Sequence, residues 1–397
     1  MSHRIPAFVL GGSLCGLHIC RSLGRQGVSV TLFERESSDP AFSSRYARVV
    51  RFPRDASDAD VRRLIIEEAT RTGSRPPLMI ASDRMLRLAS KGRAELEGVC
   101  RLRLPDDDLV ETVLDKSRFA RFTAEHGIPV PETFVPETAS ELAKRAPELG
   151  HPVILKPFES IQWDDARFKS AFGSIKAVRT YSPGETVARW SAMRELGGPM
   201  LVQESIPGSD DQNYSYISHR DALGVETVGM TVRKLRIHPV HAGIGCAILG
   251  VRDDEIDALG RSVARALAWS GISSVCVKRD ARCGRAKVYE VNGRFPMPHP
   301  VFQLCGVDLP YLTYLDLLEE KPAWPCPRPS GRICIGAARD FRAAWTYWRL
   351  GETTLGTWLG TLLRTRQIME FALDDPGPLF GRVMLGMANR RRRRAGV

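Results

Sequence analysis

The sequence predicts an α/β fold, and three observations carry that reading. Ile5 to Leu10 and Val28 to Phe33 are short apolar runs flanking a glycine turn and a helical pattern. Alternating runs at hairpin spacing recur between Asn213 and Asn292. A proline-rich stretch, Lys321 to Pro329, precedes a last region of helical periodicity. A length of 397 residues with 43% apolar content suits two or three packed units with a sizeable core.

Composition narrows the function classes. No run of about 18 apolar residues occurs, so no membrane-spanning helix is expected. The opening MSHRIPAFVLGGS lacks signal-peptide architecture, and nine cysteines lie scattered without CxxC pairs. The expectation is free thiols in a cytoplasmic protein. The formal net charge is +11, and Arg390 to Arg394 supply five of the positive charges. No aromatics interleave with that run, so a solvated tail is expected and nucleic acid is not.

From the N-terminus, Gly11-Gly12-Ser13-Leu14-Cys15-Gly16 opens a helix from Leu17 to Gln26, and Val28 to Phe33 ends at Glu34. This is a Rossmann-like βαβ start, which invites FAD or NAD with Glu34 on a ribose. Ser13 replaces the glycine that lets backbone approach a pyrophosphate, so a unit binding no dinucleotide is preferred. Asp60 to Thr70 reads as helix, Leu78 to Ala81 as a buried strand, and Ser82-Asp83 as a helix N-cap.

Asp115 caps a second-unit helix carrying Lys116, which stops at Gly127 before Ile128-Pro129-Val130-Pro131. Pro152 to Pro157 is an apolar strand ending in Lys156, and a lysine there is costly unless an anion pairs with it. Phe158 to Gly173 reads as a loop and Ser174 to Arg179 as a strand containing Lys176. Gly184 to Leu196 is helical, Met200 to Glu204 a strand, and Ser205 to Gly208 a turn. Asn213 to His219 and Val225 to Leu235 read as antiparallel strands, with Arg233 and Lys234 as candidate substrate contacts. Gly243 to Gly250, rich in small residues, reads as a loop. His238 and His241 read as loop histidines. Asp253 to Trp269 is a helix, followed by a hairpin of Ser273 to Lys278 and Lys287 to Asn292.

Glu290, Asn292 and Arg294 alternate along that last strand, so their side chains share a face. Carboxylate and amide oxygens suit Mg²⁺, and the arginine fork suits an adjacent anion. Polar alternation alone more often marks a solvated strand face. Asp340 to Arg349 and Thr353 to Phe371 read as helices. The second carries Leu355, Trp358, Leu359 and Leu362 on one side and reads as a docked helix. Peripheral membrane contact through it and the arginine tail is the alternative.

Asp115-Lys116, Gly127 to Pro131, Val153 to Pro157 and Gln203-Glu204-Ser205-Ile206-Pro207-Gly208, in that order, resemble the ATP-grasp superfamily of carboxylate–amine ligases. Within it the pattern is most similar to the D-aspartate ligase-like predicted carboligases. The resemblance covers nearly the whole chain. It implies a Rossmann-like pre-ATP-grasp domain (1–112), a two-subdomain ATP-grasp domain (113–320) with a lid at about 158–175, and a helical C-terminal extension (321–397). It implies ATP and Mg²⁺. Lys116 and Lys156 would contact phosphates, with Lys176 either a further contact or solvent-facing. Gln203, Glu204 and Ile206 would lie at the adenine, and Asp210 or Asp211 at the ribose. Glu290 and Asn292 would hold the metal, and Arg294 the acyl carboxylate or its phosphate. Cys276 stands where the group usually has an acidic ligand, so Asp280 is expected to substitute if the hairpin turn brings it inward.

The implied reaction is amide formation through an acylphosphate, releasing ADP and phosphate. Its substrates would be a small carboxylate and an amine, amino acids or peptides by analogy, in a protein that is dimeric in similar enzymes. The alternatives are an FAD- or NAD-dependent oxidoreductase using residues 5–34 and a nucleotide-binding protein without catalysis.

Overall fold

The apolar run Ala7–Leu10 (β1) pairs in parallel with Val30–Glu34 (β2) and Leu78–Ile80 (β4), and β2 pairs with Ala47–Arg51 (β3). The sheet order is β3-β2-β1-β4. Gly16 allows the first helix, Leu14–Arg25, to sit against this sheet, because a Cβ there would lie 2.0 Å from the Gly11 carbonyl oxygen. The computed structural model describes residues 4–159, 162–163, 165–172 and 177–380. Lys176, Arg390 to Arg394 and part of the expected lid lie outside them.

The second unit is a four-stranded antiparallel sheet of Thr133–Phe134 (β5), Val153–Pro157 (β6), Val178–Thr180 (β7) and Met200–Glu204 (β8), in the order β5-β8-β6-β7. Trp163, Phe168, Trp190 and Met193 are buried beneath it. The third sheet has seven strands: Asn213–Arg220 (β9), Glu226–His238 (β10), Ile244–Val251 (β11), Gly271–Arg279 (β12), Ala286–Asn292 (β13), Ile333–Ile335 (β14) and Thr365–Ile368 (β15). Their order is β13-β12-β9-β10-β11-β14-β15. Phe8 and Phe33 of the first sheet share a buried cluster with Tyr216, Trp269, Val275 and Val288. Burying each such side chain contributes roughly 1.5–3 kcal/mol, so the first unit and the third sheet are held as one core.

Three sequence expectations are corrected. The stretch expected as a loop over Phe158 to Gly173 contains the helix Ala166–Phe172, whose Phe168 packs into the buried cluster with Trp163 and Trp190. Gly243 to Gly250 is not a loop but most of β11. Its glycines serve close packing: a Cβ at Gly250 would meet the Cys305 sulfur at 2.6 Å. The helix expected over Thr353 to Phe371 spans only Leu355–Leu363, after which β15 pairs in parallel with β14. The C-terminal extension is therefore helical with two strands added to the large sheet.

The extension also reaches the first unit. Arg21, 2% exposed, donates to the Asp375 carboxylate at 2.9 Å and to the carbonyls of Met369, Glu370 and Asp375. Asp375 in turn accepts from the Ser44 hydroxyl and the Arg45 amide, so every strong polar group of this buried pair is satisfied.

Candidate active site

A cleft of about 1330 Å³, including its open mouth, lies between the second and third sheets. β6 brings Lys156 to it, β8 brings Gln203 and Glu204, and β13 brings Glu290 and Asn292. Lys116 enters from the first turn of the helix Lys116–Glu125, which Asp115 caps through the Ser117 and Arg118 amides. Ile206, Asp210 and Arg294 also line it.

β13 carries a bulge that sets the chemistry. Cys276 pairs with Glu290 and Val277 with Val288, so Tyr289 is the extra residue. A bulge lets two consecutive side chains leave the usual alternation. Tyr289 and Glu290 accordingly both face the cleft. The Tyr289 hydroxyl accepts from the Lys234 ammonium at 2.9 Å. Beyond the bulge, Gly293 passes over Trp269, whose ring would lie 2.1 Å from any Cβ at that position. This close approach fixes the strand end between Asn292 and Arg294.

Arg294 is clamped by Asp83, with contacts of 2.8 and 3.3 Å, and donates to the Asn292 carboxamide oxygen at 3.0 Å. Burial opposes its charge, but the Asp83 carboxylate holds its pKa above the ordinary value. Gln203 is fixed in orientation: its oxygen accepts from Lys156 at 3.0 Å and its nitrogen donates to Thr133 at 3.0 Å. Lys234, 9% exposed, lies 3.9 Å from the Cys276 sulfur and pairs with no carboxylate among the described residues. Cys276 also meets Ser215 at 3.4 Å and the Asn292 amide nitrogen at 3.7 Å.

Five cationic side chains line the cleft: Lys116, Lys156, Lys234, Lys278 and Arg294. Of its four carboxylates, Asp83 is taken by Arg294, and Glu204 by Lys287 and Arg282. Asp210 is taken by His241 and Tyr347. Glu290 is half-buried and has no hydrogen bond or ion pair among the described residues. One unpartnered carboxylate amid fixed cations fits a hard cation whose remaining ligands are phosphate oxygens and water. No cluster of three His, Cys, Asp or Glu that could hold a metal occurs among the described residues.

Burial lowers the Lys156 pKa to about 8, and Lys116 pushes the same way, while Glu290 opposes. Between about pH 8 and the unfolded value of 10.5, the unfolded chain holds a proton that the folded one has lost, so stability rises with pH there. Below pH 8 the folded state bears the full penalty, which corresponds to roughly 3 kcal/mol. The side chain is only half-buried, so solvent reduces this to about 1–2 kcal/mol. Lys156→Met is therefore expected to raise the melting temperature of the ligand-free protein at pH 7 by a few degrees, as differential scanning fluorimetry would read.

The cleft thus assembles Lys116, Lys156, Gln203, Glu204, Ile206, Asp210, Glu290, Asn292 and Arg294. It does not include two further candidates. Asp211 turns away to Arg233. The hairpin turn does not bring Asp280 inward: four residues past Cys276 on an extended strand is about 13 Å. Asp280 is buried there with Arg282 and Lys287, whose contacts hold its pKa well below the carboxylate range. Asp83, Tyr289 and Ser215 were not foreseen as site residues. Of these, only Asp83 lies at a position marked in the sequence, as the first residue of the helix Asp83–Lys91 that Ser82 caps.

At the N-terminal glycine turn, the Glu34 carboxylate accepts the Gly12, Arg35 and Glu36 amides. The acid thus occupies the Gly12 amide, one of the glycine-turn donors that a dinucleotide pyrophosphate would use.

No protein-family model and no curated protein sequence matches the chain. Solved structures do. The biotin carboxylase domain of the Hydrogenobacter thermophilus 2-oxoglutarate carboxylase, in complex with MgADP, ADP and bicarbonate, is similar with a TM-score of 0.62 and 15% identity. The match covers 82% of this chain and 73% of that one. An L-amino acid ligase from Bacillus licheniformis matches with TM-score 0.59 and 14% identity, over 80% and 75% of the two chains. An Aspergillus clavatus carboxyaminoimidazole ribonucleotide synthase complexed with ATP matches with TM-score 0.59 and 15% identity, over 81% and 80%. The chain has the ATP-grasp fold that these structures share.

Proposed function

We propose that the protein is an ATP-dependent carboxylate–amine ligase. The observation that carries this reading is the Glu290 carboxylate, without a hydrogen bond or ion pair among the described residues, within a cleft lined by five cationic side chains. The likeness to an L-amino acid ligase and to structures holding ADP or ATP supports it. The ordered motifs favour the D-aspartate ligase-like group, with an amino acid or peptide among the substrates.

Lys116 and Lys156 bind the polyphosphate, and Gln203, Glu204 and Ile206 border the base. A substrate carboxylate oxygen attacks the γ-phosphorus. An acylphosphate forms as the bond to the β-phosphate oxygen breaks and ADP leaves. A neutral amine then attacks the acyl carbon, the acyl–oxygen bond breaks, and the amine proton leaves with phosphate. Arg294, held by Asp83, orients the carboxylate, and Lys234 offsets charge on the transferring group. Mg²⁺, when bound, would be held by Glu290 and Asn292 and would neutralise phosphate charge.

The first test is thermal stability with Mg²⁺-ATP, ADP, NAD⁺ and FAD. A ligand that binds only the folded state raises the melting temperature. A rise with Mg²⁺-ATP or ADP alone is expected; a rise with FAD or NAD⁺ and none with ATP would sink the ligase reading. Cys276 opposite Glu290 leaves one free carboxylate, which favours as a second reading nucleotide binding without turnover. ADP release across a panel of acids and amines separates the two.

A further inference from the structure

The helix Leu355–Leu363 has the sequence LGTWLGTLL, without a charged residue, yet only Thr361 is buried. Leu355, Leu359 and Leu363 are 53%, 54% and 78% exposed at i, i+4 and i+8, one outward stripe. The docked stripe expected from sequence is corrected: Trp358 and Leu362 are partly covered and Thr361 is buried, but Leu355 and Leu359 face outward, because the helix seats on one narrow side. The neighbouring helix Ala337–Arg349 buries Asp340, Ala343, Ala344 and Tyr347. It turns Phe341, Trp345 and Trp348 outward. Phe341 meets Trp358 edge-on, with ring centroids 5.8 Å apart, which joins the two stripes into one patch. Scattered exposed apolar residues are ordinary; a contiguous face of tryptophan, phenylalanine and leucine marks an interaction surface.

The charge around that face selects the partner. Arg342, Arg349, Arg364 and Arg366 are exposed, and none pairs with a carboxylate among the described residues. The carboxylates on these helices and the turn between them are already engaged: Asp340 holds Arg236, and Glu352 meets His241. The sequence adds five more arginines at 390–394. Aromatic and leucine side chains ringed by unneutralised arginines match the boundary between acyl chains and anionic headgroups. There aromatic rings settle at headgroup level, and each basic residue adds attraction.

We propose that the outer faces of helices Ala337–Arg349 and Leu355–Leu363 dock on an anionic lipid surface. No helix among the described residues is long and apolar enough to cross a membrane, so this is attachment in the plane of the interface. The site is separate from the cleft, and the proposal does not depend on the reaction performed there.

The experiment is co-sedimentation of the full chain with phosphatidylcholine vesicles, with and without about 30% phosphatidylglycerol. Binding to the anionic vesicles is expected, weakening by about tenfold or more at high salt. The doubly substituted Trp345→Ser/Leu359→Ser protein is expected to bind about tenfold more weakly with an unchanged melting temperature, since both positions are exposed. Arg342→Glu/Arg349→Glu provides an independent variant with the same expected loss. Four results would overturn the proposal. The native chain could fail to bind, or bind neutral vesicles equally well. The patch variants could bind like the native chain, which would assign attachment to the arginine tail alone. Or the patch variants could dissociate a dimer that itself binds no lipid, which would assign the face to a second copy.

Discussion

Glu290→Ala is expected to lower ADP formation about a thousandfold while the protein stays folded. The expectation follows from charge placement. Glu290 is the one cleft carboxylate without a hydrogen bond or ion pair among the described residues, so its removal breaks no such contact and withdraws only a longer-range charge that favours the Lys156 ammonium. What is lost is the anion that would hold a cation against ATP. Asn292 cannot substitute, because its carboxamide is neutral and supplies no anion, although its oxygen, which accepts one bond from Arg294, keeps a second lone pair. Calorimetric titration with a non-hydrolysable ATP analogue gives the sharper measurement. Mg²⁺ should tighten binding to the native protein and have no effect on the variant. Equal Mg²⁺ enhancement in both would remove Glu290 from the metal site. Asn292→Ala should have a smaller effect of the same kind.

Asp375→Ala is expected to have the largest effect on stability, about 3–5 kcal/mol, as urea denaturation would measure. The carboxylate lies 1% exposed against Arg21, and its loss leaves a guanidinium buried with carbonyl partners alone. Ser44 and Arg45 lose an acceptor at the same stroke. Asp375→Asn should cost less, because an amide oxygen still accepts. The neighbouring Arg25–Asp374 pair is half exposed, so breaking it should cost about 1 kcal/mol or less. Equal losses at both positions would show that burial does not govern these pairs.

The parts of the site that were readable in sequence are the local ones. Lys156 between prolines, the Asp115 cap beside Lys116, and the alternation of Glu290, Asn292 and Arg294 all lie within a few residues of what defines them. The unreadable parts depend on distant partners. Asp83 meets Arg294 across 211 residues, and no periodicity signals that contact. Tyr289 joins the cleft only because the strand bulges against β12, which an alternation rule hides. Glycine-rich β11 read as a loop because its small residues look permissive, whereas they are required by the Cys305 and Met230 side chains packed against them. The first helix and the βαβ start were legible from apolar runs. The attachment of the C-terminal segment to that start was not.

That attachment bears on how the chain is made. A ribosome releases the N-terminal unit long before residue 375 emerges, and domains ordinarily fold as they appear. Here the first helix carries Arg21, whose charge has no carboxylate to meet until nearly all of the described chain has been synthesised. The opening unit therefore waits for residue 375 to be made before its interior is complete, and a nascent chain stalled before Asp375 would leave Arg21 without its carboxylate and open to whatever chaperone or protease is at hand.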